Sequence, residues 1–176
     1  MPTSPDPRPF TLVDRPLHRN EAQQISVAIR ETPNILGYSP EELLSFGGCL
    51  VAENDAGELA GVCVVKRLSR HWSEIAFLIV LPAFRKQGIG SALFDEAFQR
   101  LRDRGDTILC VSREVSILRL MEKAEMRFIP EWRMPPAVHL AKMRHYSSFY
   151  RFWESFRKAP MYRGQPPFRY AIRENR

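Results

Sequence analysis

The sequence predicts an α/β layered fold, and three observations carry that expectation. Apolar, β-rich runs alternate with helix-spaced segments through the middle of the chain. One of those runs, residues 74–81, is apolar on both faces, as a central strand has to be. A long amphipathic segment opens on two glycines soon after it. Composition agrees: 176 residues, 44% hydrophobic and 26% charged, suit an ordinary globular unit and exclude a collagen-like, coiled-coil or largely disordered chain. No run approaches the roughly 18 consecutive apolar residues of a membrane-spanning helix, and the N-terminus lacks the basic-then-apolar layout of a secretory signal. Cys49, Cys63 and Cys110 are odd in number, far apart and set in apolar runs. They read as buried free thiols, with no disulfide framework and no metal site, in a reduced cytoplasmic protein.

Four prolines within residues 1–9 make a stiff lead-in without secondary structure. A short strand follows at Phe10–Asp14, then helical spacing from His18 to Arg30 with Ala22, Ile25 and Ile29 on one side. That helix stops before Pro33, because the residue ahead of a proline disfavours helical geometry. Ser39-Pro40-Glu41-Glu42 starts a second, short helix: a capping hydroxyl, proline at the first helical position and an acid three residues after the cap. Residues 49–53 and 59–65 are strands joined by the Asn54-Asp55-Ala56-Gly57 turn. From Gly88, Ile89, Leu93, Ala97 and Leu101 recur every four residues up to Gly105. A buried strand at 107–111 and a helix at 115–124 come next. Residues 127–133 and 138–143 read as two closing strands around Met134-Pro135-Pro136. Ser147 or Ser148 caps a last helix to Lys158, and a Gly/Pro-punctuated tail ends the chain.

The net charge of +6 is not spread evenly. Residues 141–176 hold nine Lys/Arg against Glu154 and Glu174, so this end carries +7 and the rest of the chain −1. The same end holds nine of the nineteen aromatic residues. Cations among rings suit a nucleic-acid surface. They suit equally an amphipathic helix lying on its own domain with the arginines solvated on the far face, which is the commoner and preferred reading.

The stretch that carries chemistry runs from Val80 to Leu93. A strand ends at Pro82, the basic loop Arg85-Lys86-Gln87 follows, and Gly88-Ile89-Gly90 opens the long helix. Glycines let the backbone turn and approach a ligand, free amides at the helix start point outward, and the helix dipole adds partial positive charge. Two full charges stand beside them. This is an anion cradle suited to a diphosphate. It is neither a Walker loop nor the three-glycine dinucleotide fingerprint.

Arg85-Lys86-Gln87-Gly88-Ile89-Gly90 resembles the pyrophosphate loop of the GNAT superfamily of acetyl-CoA-dependent N-acetyltransferases, and the preceding strand with Val80 and Pro82 and the following Leu93-Phe94 match as well. The resemblance implies a mixed, mostly antiparallel central sheet of about six or seven strands flanked by helices. It implies residues 10–145 as the acetyltransferase domain and 146–176 as an extension packed on it or binding a partner. It also implies acetyl-CoA as co-substrate: amides of Gln87, Gly88, Ile89, Gly90 and Ser91 on the diphosphate with Arg85 and Lys86, and the backbone of Ile79 and Val80 on the pantetheine arm. Glu74 takes the place where the family often sets a general base or water-relay carboxylate, a solvated strand-end acid being the alternative. Met121 stands where many members carry the tyrosine that protonates the departing thiolate, and Glu114 where an asparagine is frequent. Ser112, Tyr146, Tyr150 or water are the substitute proton sources, with no choice among them.

The implied activity is acetyl transfer to a primary amine of a small molecule or protein by direct attack. The helix pair His18–Ser45 is expected to wall the acceptor site, with Tyr38 a contact. The alternative is a catalytically weak acyl-CoA-binding module whose basic end engages a protein or RNA partner, including an RNA-borne amine. Nucleic acid is not favoured, and no membrane is expected. The closing strands and the aromatic end are surfaces on which a second copy can pack.

Overall fold

A computed structural model describes residues 9–146 and 149–174. Residues 1–8 of the proline lead-in and the Ser147/Ser148 cap lie outside them. Seven strands form one sheet: β1 (Phe10–Arg15), β2 (Cys49–Asn54), β3 (Leu59–Arg67), β4 (Trp72–Val80), β5 (Thr107–Ser112), β6 (Arg127–Ile129) and β7 (Arg169–Arg173). Their order is β1-β2-β3-β4-β5-β7-β6. Every neighbouring pair is antiparallel except β4 with β5. This is the mixed, mostly antiparallel sheet that the family resemblance implies.

Helices α1 (Arg19–Arg30), α2 (Pro40–Leu44), α3 (Ile89–Asp103), α4 (Val115–Lys123), α5 (Pro136–Tyr146) and α6 (Phe149–Tyr162) flank the sheet. The first four keep the expected signals. The Ser39 hydroxyl accepts from the Glu42 amide while the Glu42 carboxylate accepts from the Ser39 amide, a reciprocal cap. Ile89, Leu93, Phe94, Ala97 and Leu101 of α3 pack with Met121 of α4 on one face of the sheet. Ala22, Ile25, Ile29 and Leu43 of α1 and α2 cover Phe77 and Ile79 on the other. Gly61 on β3 makes the α3 packing feasible, since a Cβ there would lie 2.9 Å from the Ile79 carbonyl oxygen and 3.2 Å from Leu93. The three cysteines are free and buried. Burial pushes the Cys49 thiol up to about 11 and the Cys63 thiol up to about 12, which leaves both protonated and inert. No described helix is long and apolar enough to cross a membrane.

Four expectations change beyond α4. Residues 138–143 are helical, not a strand. The Pro135 carbonyl accepts from the Val138 and His139 amides, and Pro136 opens α5, so the paired prolines start a helix instead of separating two strands. Val138 and Ala141, three apart, pack toward Leu109 and Ile172 while Leu140 and Met143 face solvent, which is helical spacing. The 127–133 strand shortens to β6, because Pro130 leads into a single 3-10 turn at Glu131–Arg133. Part of the tail is β7, which fills the place between β5 and β6; β6 pairs with no other strand.

The fourth correction concerns the face of the last helix. Of the α6 cations only Arg157 lies exposed; Arg151 and Lys158 do not sit on a solvated far side. Arg151, Glu154 and Lys158 are its buried residues, and Phe149, Phe152, Trp153 and Phe156 are exposed. Charged groups point inward because the α1–α2 connection offers polar partners. The Lys158 ammonium donates to the carbonyls of Ile29, Thr32 and Ile35 at 2.6, 2.8 and 2.7 Å, capping the end of α1. Arg151 donates to the Gly37 carbonyl and pairs with Glu42. Glu154 receives Arg157 and Arg30.

Lys158→Met, which keeps the stem and removes the ammonium, is expected to cost about 2–4 kcal/mol by leaving carbonyls without a donor. Differential scanning calorimetry should show this as a lower Tm. Burial lowers the folded-state pKa of Lys158 to about 8. Between about pH 8 and 10.4 the unfolded chain therefore binds more protons, so wild-type stability rises with pH relative to the variant. A gap that is flat or shrinks over that window contradicts the assignment.

Candidate functional site

The site begins where a strand pair stops. β4 and β5 run parallel from Trp72↔Thr107 to Ile75↔Cys110 and pair no further. At the next residue β4 carries a bulge against β3: Val65 faces Ile75 and Val64 faces Phe77, so Ala76 is extra. Beyond it the strands separate around a cleft of about 700 Å³. Residues 75–80 of β4 and 110–112 of β5 form its sides, Ser116, Ile117, Arg119 and Leu120 of α4 line one flank, and Thr32, Asn34 and Ile35 of the α1–α2 connection line the rim. Among the described residues the edge of β4 facing this cleft has no strand partner, and such an edge accepts an extended chain.

The cradle closes one end. After the 3-10 turn Pro82–Phe84, Lys86 and Gly88 both take left-handed backbone, with φ of 65° and 78°, and α3 starts at Ile89. Left-handed residues set among ordinary ones aim successive amides into one concavity that suits an anion. Glycine is the residue for Gly88, while Lys86 is the uncommon case of a side chain held at positive φ. Arg85, Lys86, Gly88, Ile89, Gly90 and Ser91 line the cleft, whereas Gln87 is exposed and does not. The Arg85 guanidinium folds back to the Val80 carbonyl at 3.3 Å, which puts its charge at the mouth. The Ile89 side chain is in the core, so that residue offers the cleft its amide.

Glu74 is 1% exposed and one residue outside the cleft lining, which begins at Ile75. Its carboxylate lies 3.3 Å from the Lys142 ammonium of α5, and Lys66 is opposite it in register on β3. The Lys142 ammonium stands 4.9 Å over the Tyr170 ring, and the Lys66 ammonium 4.9 and 5.1 Å over Tyr38 and Phe46. Burial, with Arg151 nearby, lowers Lys66 to about 8. Glu74 is thus the centre of a buried polar cluster, not the solvated strand-end acid of the alternative reading. Tyr38 is 1% exposed against Phe77, Phe46 and the Arg151 guanidinium, and it does not line the cleft. Among the substitute donors, Ser112 lines the cleft and its hydroxyl accepts from the Glu114 amide. Tyr150 does not line it, Tyr146 has its side chain outside the described residues, and Met121 is fully buried in the core.

Two residues unremarked in the sequence shape the rim. Arg113, buried after β5, donates to the Pro33 carbonyl at 2.6 Å and to Asn34 Oδ1 at 3.2 Å. Its guanidinium is clamped over Phe168 and Tyr162, 4.2 and 4.9 Å from the ring centroids. Asn34 in turn donates to Glu114 Oε2 at 2.5 Å. The only sequence signal was an Arg-Glu pair directly after a strand, which is too common to read alone. Among the described residues no group of three or more His, Cys, Asp and Glu is placed to hold a metal ion.

A family model described as the acetyltransferase (GNAT) family matches residues 13–124. No curated protein matches the chain. Among solved structures, N-acetylglutamate synthase from Neisseria gonorrhoeae, complexed with coenzyme A and N-acetyl-glutamate, aligns at 20% identity with a TM-score of 0.64, covering 94% of this chain and 35% of that one. The chain therefore spans about a third of that enzyme's length. Rv2747 from Mycobacterium tuberculosis, in complex with CoA, aligns at 18% identity with a TM-score of 0.65, covering 91% of this chain and 97% of that one. The ribosomal-protein-S18-alanine N-acetyltransferase from Escherichia coli aligns at 15% identity with a TM-score of 0.55 over 68% of this chain and 80% of its own. At these identities the likeness is one of fold.

Arg113→Ala should free the rim without unfolding the sheet. Amides at residues 34–36 are expected to exchange with solvent at least about tenfold faster, the loss of charged hydrogen bonds worth ~1.5 kcal/mol. Unchanged exchange there by mass spectrometry would mean that Lys158 alone holds the rim.

Proposed function

The chain belongs to the acetyltransferase (GNAT) family, and on that premise we propose that it transfers an acetyl group from acetyl-CoA to a primary amine of a small molecule or protein by direct attack. The observation that carries this reading is the cradle of positive-φ residues at the head of the cleft that opens where β4 leaves β5. The residues present fit such a co-substrate: amides and two cations for a diphosphate at one end, and an unpaired strand edge with apolar walls for a pantetheine arm.

Acetyl-CoA supplies the acyl thioester. Amides of Gly88 to Ser91 hold the diphosphate, with Arg85 and Lys86 adding charge and Gln87 contributing through its backbone. The backbone of Ile79 and Val80 aligns the arm, and an amide there polarises the thioester carbonyl. The attacking amine has to be neutral, forms the C–N bond as the C–S bond breaks, and loses a proton. Glu74 receives that proton through the polar cluster it shares with Lys142 and Lys66. Ser112, which lines the cleft, is the proton source for the departing thiolate. Both a small-molecule and a protein acceptor have precedent among the similar folds, in the N-acetyl-glutamate complex and the S18 enzyme.

Thiol release from acetyl-CoA, followed across amino acids, polyamines, aminoglycosides and peptides, tests the activity; release with no amine in the panel opposes it. Gly88→Asp puts a side chain at a φ of 78° and a negative charge opposite the diphosphate. Coenzyme A binding by calorimetry is expected to vanish, and equal affinity would refute the cradle. Glu74→Gln is expected to lower kcat by about 10²-fold, the scale of one acid–base contribution, with coenzyme A affinity unchanged. A kcat within a few-fold of wild type would assign Glu74 to packing against Lys142.

A further inference from the structure

Helix α6 is amphipathic in reverse. Arg151, Glu154 and Lys158 point into the protein, and the outward residues Phe149, Phe152, Trp153 and Phe156 are 85, 62, 64 and 64% exposed. They fall at i, i+3, i+4 and i+7, so they form one stripe. Phe152 and Phe156 already meet edge to face, with centroids 4.8 Å apart. The stripe exposes roughly 500 Å² of aromatic surface, at the usual 150–250 Å² per ring. That is about the size of the largest apolar patch of an ordinary monomer, a patch that is often functional.

Charge decides what covers it. The excess of Lys and Arg at this end of the chain suggests a polyanion, but the cations of α6 are already partnered, Arg151 and Lys158 in buried positions and Arg157 beside the stripe. Arg151 meets Glu42 and the Gly37 carbonyl, Arg157 meets Glu154 and the Arg30 carbonyl, and Lys158 meets three carbonyls. Between residues 149 and 156 the only charged residues, Arg151 and Glu154, are buried. A nucleic acid or an anionic bilayer is held by outward cations, and this face presents rings instead. Its partner is therefore apolar and uncharged along the contact. A second copy of the same stripe meets that requirement, since a two-fold axis sets each ring row against its equivalent. The exposed ring area is close to two-thirds of the roughly 800 Å² per partner in a stable interface, and aromatic pairs are the contacts that dominate such interfaces.

We propose that two chains associate through the aromatic faces of their α6 helices, forming a two-fold homodimer. The dimer contact then stands behind the rim of each cleft, because the inner side of the same helix caps α1 and holds residues 29–37.

Sedimentation velocity of the full chain over about 1–100 µM, a range that brackets ordinary dimer affinities, is the test. The expected species has twice the 20.4 kDa chain mass. Phe152→Glu and Trp153→Glu, made separately, are each expected to weaken the dimer at least about tenfold, the scale of a central interface residue. Val27→Glu, at an apolar site on α1 that is 55% exposed, should leave it intact. Melting curves guard against misfolding, and Phe149→Ser serves if a charged variant fails to fold. A wild type that stays monomeric throughout, or a dimer indifferent to all stripe changes, overturns the proposal. So does a monomer that instead pellets with anionic vesicles or shifts RNA in a gel.

Discussion

The β4–β5 ladder runs only from Trp72↔Thr107 to Ile75↔Cys110, and the bulge at Ala76 turns the rest of β4 away from its neighbour. Continued pairing would have sealed the sheet and left the α3 amides facing a closed surface. Interruption produces a strand edge whose polar groups want a partner, an apolar-walled cleft of about 700 Å³, and a helix start at the head of that cleft. The backbone groups along that edge are free to pair with an extended ligand as a neighbouring strand would. The neighbouring cradle selects for an anionic end. Together these two demands describe a long molecule with a diphosphate at one end, which is why the acetyl-CoA reading follows from main chain more than from any reactive side chain.

What holds the cleft in shape comes from far along the sequence. β7 completes the sheet beside β5, and α6 reaches back across the α1–α2 connection. Two cations, Lys158 from α6 and Arg113 from the end of β5, grip five acceptors between Ile29 and Ile35. Arg113 is itself clamped by Tyr162 and Phe168. Burying an ammonium is costly in isolation, and three carbonyls offset much of that cost. The polar cluster around Glu74 sits at the boundary between the α1–α2 apolar cluster and the one beneath α5, so the same few side chains close the core there.

The strands and helices up to Lys123 were legible because their periods are unambiguous: four-residue recurrence in α3, a two-sided apolar run in β4, a capping box at Ser39. The cradle was legible because glycine spacing after a strand constrains backbone directly. Beyond that point the signals fail for identifiable reasons. Pro135-Pro136 serves a turn or a helix start equally well until something shows which neighbour the chain meets. β7 is five residues between a Gly/Pro loop and the end of the described chain, and its place beside β5 depends on a partner strand more than fifty residues earlier. The orientation of α6 inverted the usual rule, because its inward face meets backbone carbonyls and carboxylates and not an apolar core. Arg113 and Asn34 were invisible, since their pairing spans 79 positions. The bulge at Ala76 leaves no mark in composition at all.

The most direct test of the central claim is a crystal structure of the chain with coenzyme A. Our account places the diphosphate within hydrogen-bonding distance of the amides at residues 87–91 and the pantetheine arm alongside β4 between Ala76 and Val80. A diphosphate bound elsewhere, or an arm that leaves the β4 edge unpaired, would contradict it.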